Sequence, residues 1–238
     1  MAYIKSASRK QFEHIHLSLL EQVRYVSKIK ELRSDIVHSV YNNAIFRASA
    51  AFEDYIKEVL EDWIDMLSNN NGCLSHLPDE IILFSLFKNQ EKNFINYVSH
   101  GSESTMMNDL NKCKNKLQAL SSPHSPVRPV IVSKQLIMDK KYPSKKNIKL
   151  LFNRFGIKDI FKVMTAKGKK DYEFMLQSFS DSRTELAHSY SSTNLTKDTV
   201  IDNLNYVKEI IQVLDRILYT HVCAKSGSEY WKTELLII

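Results

Sequence analysis

Between Ser34 and Leu67, apolar residues return every three or four positions, at Val37, Val40, Ala44, Ala48, Ala51, Tyr55, Val59, Trp63 and Met66, with no glycine or proline in the run. That spacing marks one face of an α-helix. A helix of this length extends about 50 Å, and its apolar side can be covered only by other helices lying along it. Ala44, Ala48, Ser49, Ala50 and Ala51 give it a small-residue waist where a neighbour can approach closely. Ser34 and Asp35 offer the N-cap, and "SNNNG" after Leu67 supplies the stop. The expected fold class is therefore all-α.

The rest of the chain repeats the pattern in shorter pieces. Phe12, Ile15, Leu19, Val23, Val26 and Ile29 predict a helix from Arg9 to Lys30. Asp79 opens another through "EIILFSLFKNQEKNFINYV", and "ESTMMNDLNKCKNKLQAL" suggests the next. Three prolines in "SSPHSPVRPV" break regular hydrogen bonding, so residues 121–130 read as an exposed connection. "VIVSKQLIM" is too short to assign by periodicity. Ser144 caps "KKNIKLLFNRF", which stops at Gly156; a short helix follows over "IKDIFKVM", and another is expected over residues 168–181. Thr196 opens the last long helix, which Gly227 closes. The aliphatic end of "SEYWKTELLII" is costly to expose and predicts docking on the body of the protein or on a neighbouring subunit. With only 5 Gly and 5 Pro in 238 residues and 43% hydrophobic residues, the chain is far from a disordered composition. Residues 1–238 read as one helical domain, with 121–143 as a loop or insertion boundary.

Cys73, Cys113 and Cys223 are odd in number and lack zinc-finger or redox spacing, which predicts reduced thiols in a cytoplasmic protein. No apolar run approaches the ~20 residues that span a bilayer, so no membrane partner is expected. The net charge of +6 is concentrated: Lys140, Lys141, Lys145, Lys146, Lys149, Arg154, Lys158, Lys162, Lys167, Lys169 and Lys170 follow one another closely. Such a run is either a solvated face or a rim that binds phosphates.

The polar segment "QSFSDSRTELAHSYSST", residues 177–193, interrupts the amphipathic rhythm just after these lysines. On a helix Arg183 and His188 stand about 140° apart, so each would serve a site completed by another helix or another chain. Glu185 and His188 share a face, where the carboxylate can orient the imidazole. The pair suits cleavage of RNA. A histidine moves the proton of the 2′-hydroxyl or of the leaving oxygen, an arginine stabilises the charge on phosphorus, and the ribose supplies the nucleophile, so that neither metal nor cofactor is required. By itself the spacing is a weak signal, and a polar helix end accounts for it more simply.

An all-helical chain in which "SRTELAHS" precedes a capped long C-terminal helix resembles the HEPN superfamily, whose motif is an arginine and a histidine separated by four to six residues. "NIKLLFNRFGIKDI" and "FRASAAFEDYIKEVL" are similar to segments of its RiboL-PSP and related branches, and the resemblance covers most of residues 34–221. It implies a helical fold, a homodimer and, for many members, a metal-independent ribonuclease acting as a toxin or in antiviral defence, with an antitoxin or defence-system protein as partner. Other members are non-catalytic interaction or nucleotide-binding modules. Carried over by position, Arg183 and His188 are the catalytic residues. Thr184 stands where the family often has asparagine, and Ser189 where glycine is common. Beside the motif, Thr184 and Glu185, and Arg47 and Glu53 on the long helix, are candidate supporting residues. Lys167, Lys169, Lys170 and a base-stacking Tyr190 are candidate RNA contacts. His14, His16, His38, His76, His100, His124 and His221 show no metal-ligand spacing and read as surface or packing residues.

Overall fold

The computed structural model describes residues 2–138, 142–188 and 195–235. Its helices are α1 (Ala7–Val26), α2 (Ser34–Asn69), α3 (Asp79–His100), α4 (Glu103–Leu120), α5 (Val127–Val130), α6 (Ser133–Ile137), α7 (Lys145–Arg154), α8 (Ile160–Gly168), α9 (Tyr172–His188) and α10 (Lys197–Lys225). No strand occurs among the described residues. The fold is an all-α helical bundle.

α2 and α10 form its axis. They pack on each other and both pack on α1, while α9 lies against α10 and α2. The alanine waist is buried as its pattern predicts, with Ala44, Ala48 and Ala51 almost fully covered. Val200, Leu204, Val207, Ile210 and Leu214 of α10 are sealed from solvent. Side chains set the helix ends: Ser6 Oγ accepts from Arg9 N at 3.0 Å, Ser144 Oγ from Asn147 N at 3.2 Å, and Thr196 Oγ1 from Thr199 N at 3.1 Å. Gly101 and Gly156 take the left-handed conformation that closes a helix.

Several elements differ from the sequence pattern. α1 starts two residues earlier than predicted, at the Ser6 cap, and ends at Val26 rather than Lys30. The helix expected over 168–181 begins at Tyr172, where Asp171 Oδ1 accepts from Phe174 N at 2.9 Å, and it runs on through the motif to His188. Residues 121–130 are exposed only in part. Leu74 N donates to Ser125 O and Ser75 N to Pro123 O, both at 2.9 Å, and Val127 and Val130 are buried. "VIVSKQLIM" contains α6, with Ile131, Leu136 and Ile137 in the core. Of the C-terminal tail, Tyr230 and Trp231 are buried, and Trp231 Nε1 donates to Ile4 O at 3.0 Å. Leu235 is exposed, and the last three aliphatic residues lie outside the described residues.

A buried carboxylate fixes the N-terminus to this axis. Asp215 of α10 is fully buried and accepts from the Tyr3 and Ser6 hydroxyls, from Ser6 N at 3.2 Å and from the Tyr55 hydroxyl at 3.3 Å, with Arg9 at 4.0 Å. Burial raises its pKa, and the hydrogen bonds from Ser6 and Tyr3 pull it back. Asp215→Ala leaves these donors and Arg9 facing a void, and should cost about 3 kcal/mol of stability, measurable by urea unfolding.

His16, on α1, is buried, with Nε2 unpartnered. Burial, and then the charge of Lys208, push its pKa down to about 4 against a backbone hydrogen bond at Leu204. The unfolded chain, with an imidazole near 6.5, takes up the proton first. His16 therefore contributes stability that is fully present above pH 6.5 and is lost as pH falls toward 4. Urea midpoints at pH 7 and pH 5 should show a larger loss for the wild type than for His16→Leu; equal losses would mean that His16 is not held neutral in the fold.

Candidate functional site

α9 positions the motif because its inner face is apolar. Tyr172, Met175, Leu176 and Phe179 are buried, and Leu186 packs against the core. Arg183 lies one helical turn beyond Phe179, at the edge of that face, while His188 falls on the opposite side. The last turns are pinned by Asn203 of α10, which is almost fully buried. Its Nδ2 donates to Ser182 Oγ at 3.3 Å and to Thr199 O at 2.9 Å, and Ser182 Oγ donates in turn to Ser178 O.

Arg183 is half-buried between two rings. The centre of its guanidinium is 5.1 Å from the centroid of Tyr142 and 5.9 Å from that of Phe46 on α2, within cation–π range. Its Nε is buried and has no hydrogen-bond partner. Two further polar atoms on the face of α2 that carries Phe46 are in the same condition: Asn42 Oδ1, one turn away, and His38 Nδ1, two turns away. Asn203 Oδ1 is a fourth. Buried polar atoms in proteins are nearly always paired, so this end of the bundle presents donors and acceptors that the fold itself does not use. An oriented guanidinium edge suits an anion with two oxygens, such as a phosphate.

The other candidates are distributed as follows. Thr184, Glu185 and His188 are exposed at the end of α9, and Arg183 and His188 share no hydrogen bond. Arg47 is exposed on α2, and it is the neighbouring Phe46 that meets Arg183. Glu53 is half-buried, two turns from Phe46 on the same face of α2. Lys167, Lys169 and Lys170 are exposed at the other end of α9, where Lys167 Nζ donates to Thr220 Oγ1 at 3.3 Å and Lys170 pairs with Glu209 at 2.6 Å. α9 rises about 16 Å from Tyr172 to Arg183, so these lysines, which precede it, lie beyond the far end of that rise. Lys145 and Lys149 pair with Glu173, which ties α7 to α9. Lys140, Lys141, Ser189 and Tyr190 lie outside the described residues. The sequence pattern missed Phe46, Tyr142 and Asn203. Only Asn203 left a signal, as an amide inside the apolar repeat of α10.

The RiboL-PSP-HEPN family model matches residues 10–220, from α1 almost to the end of α10. The chain belongs to this family. No curated protein and no solved structure matches it. The matched region of this RiboL-PSP-HEPN chain contains both motif residues and every wall of the Arg183 niche. HEPN proteins are often ribonucleases. Among the described residues no three His, Cys, Asp or Glu side chains converge as metal ligands, and no helix is long and apolar enough to cross a membrane.

Because Asn203 is the tie between α10 and the end of α9, Asn203→Ala should cost about 1–2 kcal/mol. It should also speed amide hydrogen exchange at residues 182–188 well above that of residues 172–179. Uniform acceleration along α9 would mean that Asn203 does not anchor the motif.

Proposed function

We propose that this RiboL-PSP-HEPN protein is a metal-independent endoribonuclease of the cytoplasm, a toxin or antiviral-defence effector restrained by an antitoxin or defence-system partner. The observation that carries this reading is the Arg183 guanidinium, within cation–π range of Phe46 and Tyr142 and with a buried Nε that no protein atom uses, on the same helix end as an exposed histidine. Contact with two rings and partial burial restrict the guanidinium before substrate arrives, which favours electrostatic stabilisation of a transition state.

In the proposed reaction the ribose 2′-oxygen attacks the adjacent phosphorus and the bond from phosphorus to the 5′-oxygen breaks. The proton lost by the 2′-hydroxyl is taken by a base, and the 5′-oxygen leaves with a proton. His188 serves one of these transfers. Arg183 neutralises the charge that grows on the non-bridging oxygens. Thr184 and Glu185 orient the imidazole from the same turns of α9. Lys167, Lys169 and Lys170 hold RNA that extends along α9, exchanging their weak surface ion pairs for phosphate contacts, and Tyr190 stacks on a base. Because Arg183 and His188 project about 140° apart, a two-fold homodimer that joins two motif ends would let the arginine of one copy work with the histidine of the other.

The test is digestion of an RNA oligonucleotide and its 2′-O-methyl counterpart in excess EDTA, with the new ends identified by mass spectrometry. The wild type should leave 2′,3′-cyclic phosphate and 5′-hydroxyl ends on RNA alone. Arg183→Ala and His188→Ala should each lower the rate at least a hundredfold, with helicity and melting temperature nearly unchanged. Cleavage of the 2′-O-methyl strand, or loss of all activity on chelation, would sink the mechanism. Diverse RNA left intact by folded protein would favour a non-catalytic interaction or nucleotide-binding module.

A further inference from the structure

At the far end of α2 the fold brings a nucleophile against a base. After Asn69 the chain turns through a single 3-10 turn, Leu74–His76, and there Cys73 Sγ lies 3.3 Å from His76 Nδ1 and 3.1 Å from Ser75 Oγ. Cys73 and His76 are half-buried and Ser75 is exposed, so the group sits at the surface. All three cysteines of the chain are free. The other two are placed differently. Burial pushes the Cys223 thiol up, and Cys113 stands on α4 between Lys112 and Lys114, with no hydrogen-bonded imidazole among the described residues.

The backbone decides which ring nitrogen is the base. Cys73 N donates to His76 Nδ1 at 3.2 Å. An amide can donate only to an unprotonated ring nitrogen, so Nδ1 carries the lone pair and the ring proton sits on Nε2. The thiol of Cys73 lies within reach of that same lone pair. The imidazole packs against Tyr230, with 5.8 Å between ring centroids, and Ser226 Oγ, which accepts from Trp63 Nε1 at 2.8 Å, donates to His76 O at 2.7 Å. These contacts hold the ring and its backbone in place. Capping the turn requires the bond from Cys73 N to the ring but makes no use of sulfur, since serine, threonine, aspartate and asparagine are the usual capping side chains.

We propose that Cys73 and His76 form a peroxide-reactive pair, in which hydrogen peroxide oxidises Cys73 to a sulfenic acid with His76 as the base. Sγ attacks one oxygen of the peroxide, and the S–O bond forms as the O–O bond breaks. Nδ1 takes the thiol proton and returns it to the departing hydroxide, which leaves as water. Sulfur is oxidised by two electrons and the peroxide is reduced by two, so no further reactant is needed. Ser75 Oγ donates to sulfur as negative charge grows there. The thiol sits where the connection at 121–130 crosses the end of α2, with Cys73 bridged to Pro126 and Val127 N donating to Gly72 O at 2.9 Å. A reversible change at its sulfur therefore falls on the joint between those two segments. The pair does not depend on the ribonuclease reading, since about 35 Å of helix separates Phe46 from Asn69 at the end of α2.

The test treats the reduced full chain at pH 7 with limiting hydrogen peroxide in the presence of dimedone, which captures sulfenic acids, and in parallel with iodoacetamide. Mass spectrometry of the peptides gives a rate for each cysteine. Cys73 should react about tenfold faster than Cys113 or Cys223 with both reagents. It should also react faster in the folded chain than in urea, where the three thiols should become alike. Exposure alone cannot give that result, because unfolding exposes a thiol fully, so this readout needs no variant. In His76→Gln, checked for folding by circular dichroism, Cys73 should slow to about the rate of Cys113. Equal rates for the three thiols in the folded protein overturn the proposal. So does a Cys73 that reacts no faster folded than unfolded, or one that stays fast in folded His76→Gln.

Discussion

Much in this bundle depends on how closely α1 and α10 approach α2. Ala44, Ala48 and Ala51 present almost no side chain and are buried, which lets a neighbouring helix come close to the backbone of α2. Large side chains at the waist would push the helices apart and open the seam to water along its length. Below the waist the contact is of a different kind. Tyr55 of α2 and Asp215 of α10 meet through a hydrogen bond of 3.3 Å, and the same carboxylate draws in Tyr3 and Ser6. A buried carboxylate adds little net stability over an apolar filler. What it supplies is register, because the donors of the N-terminal segment find their acceptor only when the two helices stand at one height relative to each other.

That register determines what the end of α9 can present. α9 lies against both axis helices, and its apolar residues fix its rotation, which leaves Arg183 at the border between core and surface. Phe46 from α2 and Tyr142 ahead of α7 then close on the guanidinium from elements distant in sequence. A surface arginine samples many rotamers, and ordering it costs side-chain entropy. Here the cost is met during folding. The lysines at the other end of α9 are held only by exposed ion pairs such as Lys170 with Glu209, and these exchange readily with solvent or phosphate.

Much of this was legible in the sequence, for physical reasons that can be named. The periodicity of α2 and α10 survived because each buries one continuous face, and Ser144 and Thr196 marked helix starts because a hydroxyl is the cheapest acceptor for an unpaired amide. α9 was misplaced because Ser180, Asp181 and Ser182 look like a break. On the structure two of them are solvent-side polar residues, and Ser182 Oγ bonds back to Ser178 O within a helix that continues. The stretch at 121–130 was read as wholly exposed because proline reports the loss of hydrogen bonds and says nothing about where Val127 and Val130 point. The motif itself was legible as two residue types at a spacing. Its setting was not, since Phe46, Tyr142 and Asn203 reach Arg183 and Ser182 through tertiary packing, which no local pattern encodes.

The polar atoms that folding leaves unpaired connect these observations. The six buried side-chain atoms without partners among the described residues belong to His16, His38, Asn42, Gln90, Arg183 and Asn203. Chance would scatter them. Instead four belong to Arg183, to Asn203 that anchors its helix, and to the two polar residues that continue the Phe46 face of α2, while a fifth belongs to Gln90 on α3. Local rules of folding are broken most often where a structure is shaped for something other than its own stability. On that argument the Arg183 niche is the place where several such atoms gather on neighbouring elements, α2, α9 and α10. His16 is the exception, an imidazole kept neutral by the core, where its unpaired nitrogen has an effect only when acid supplies the missing proton.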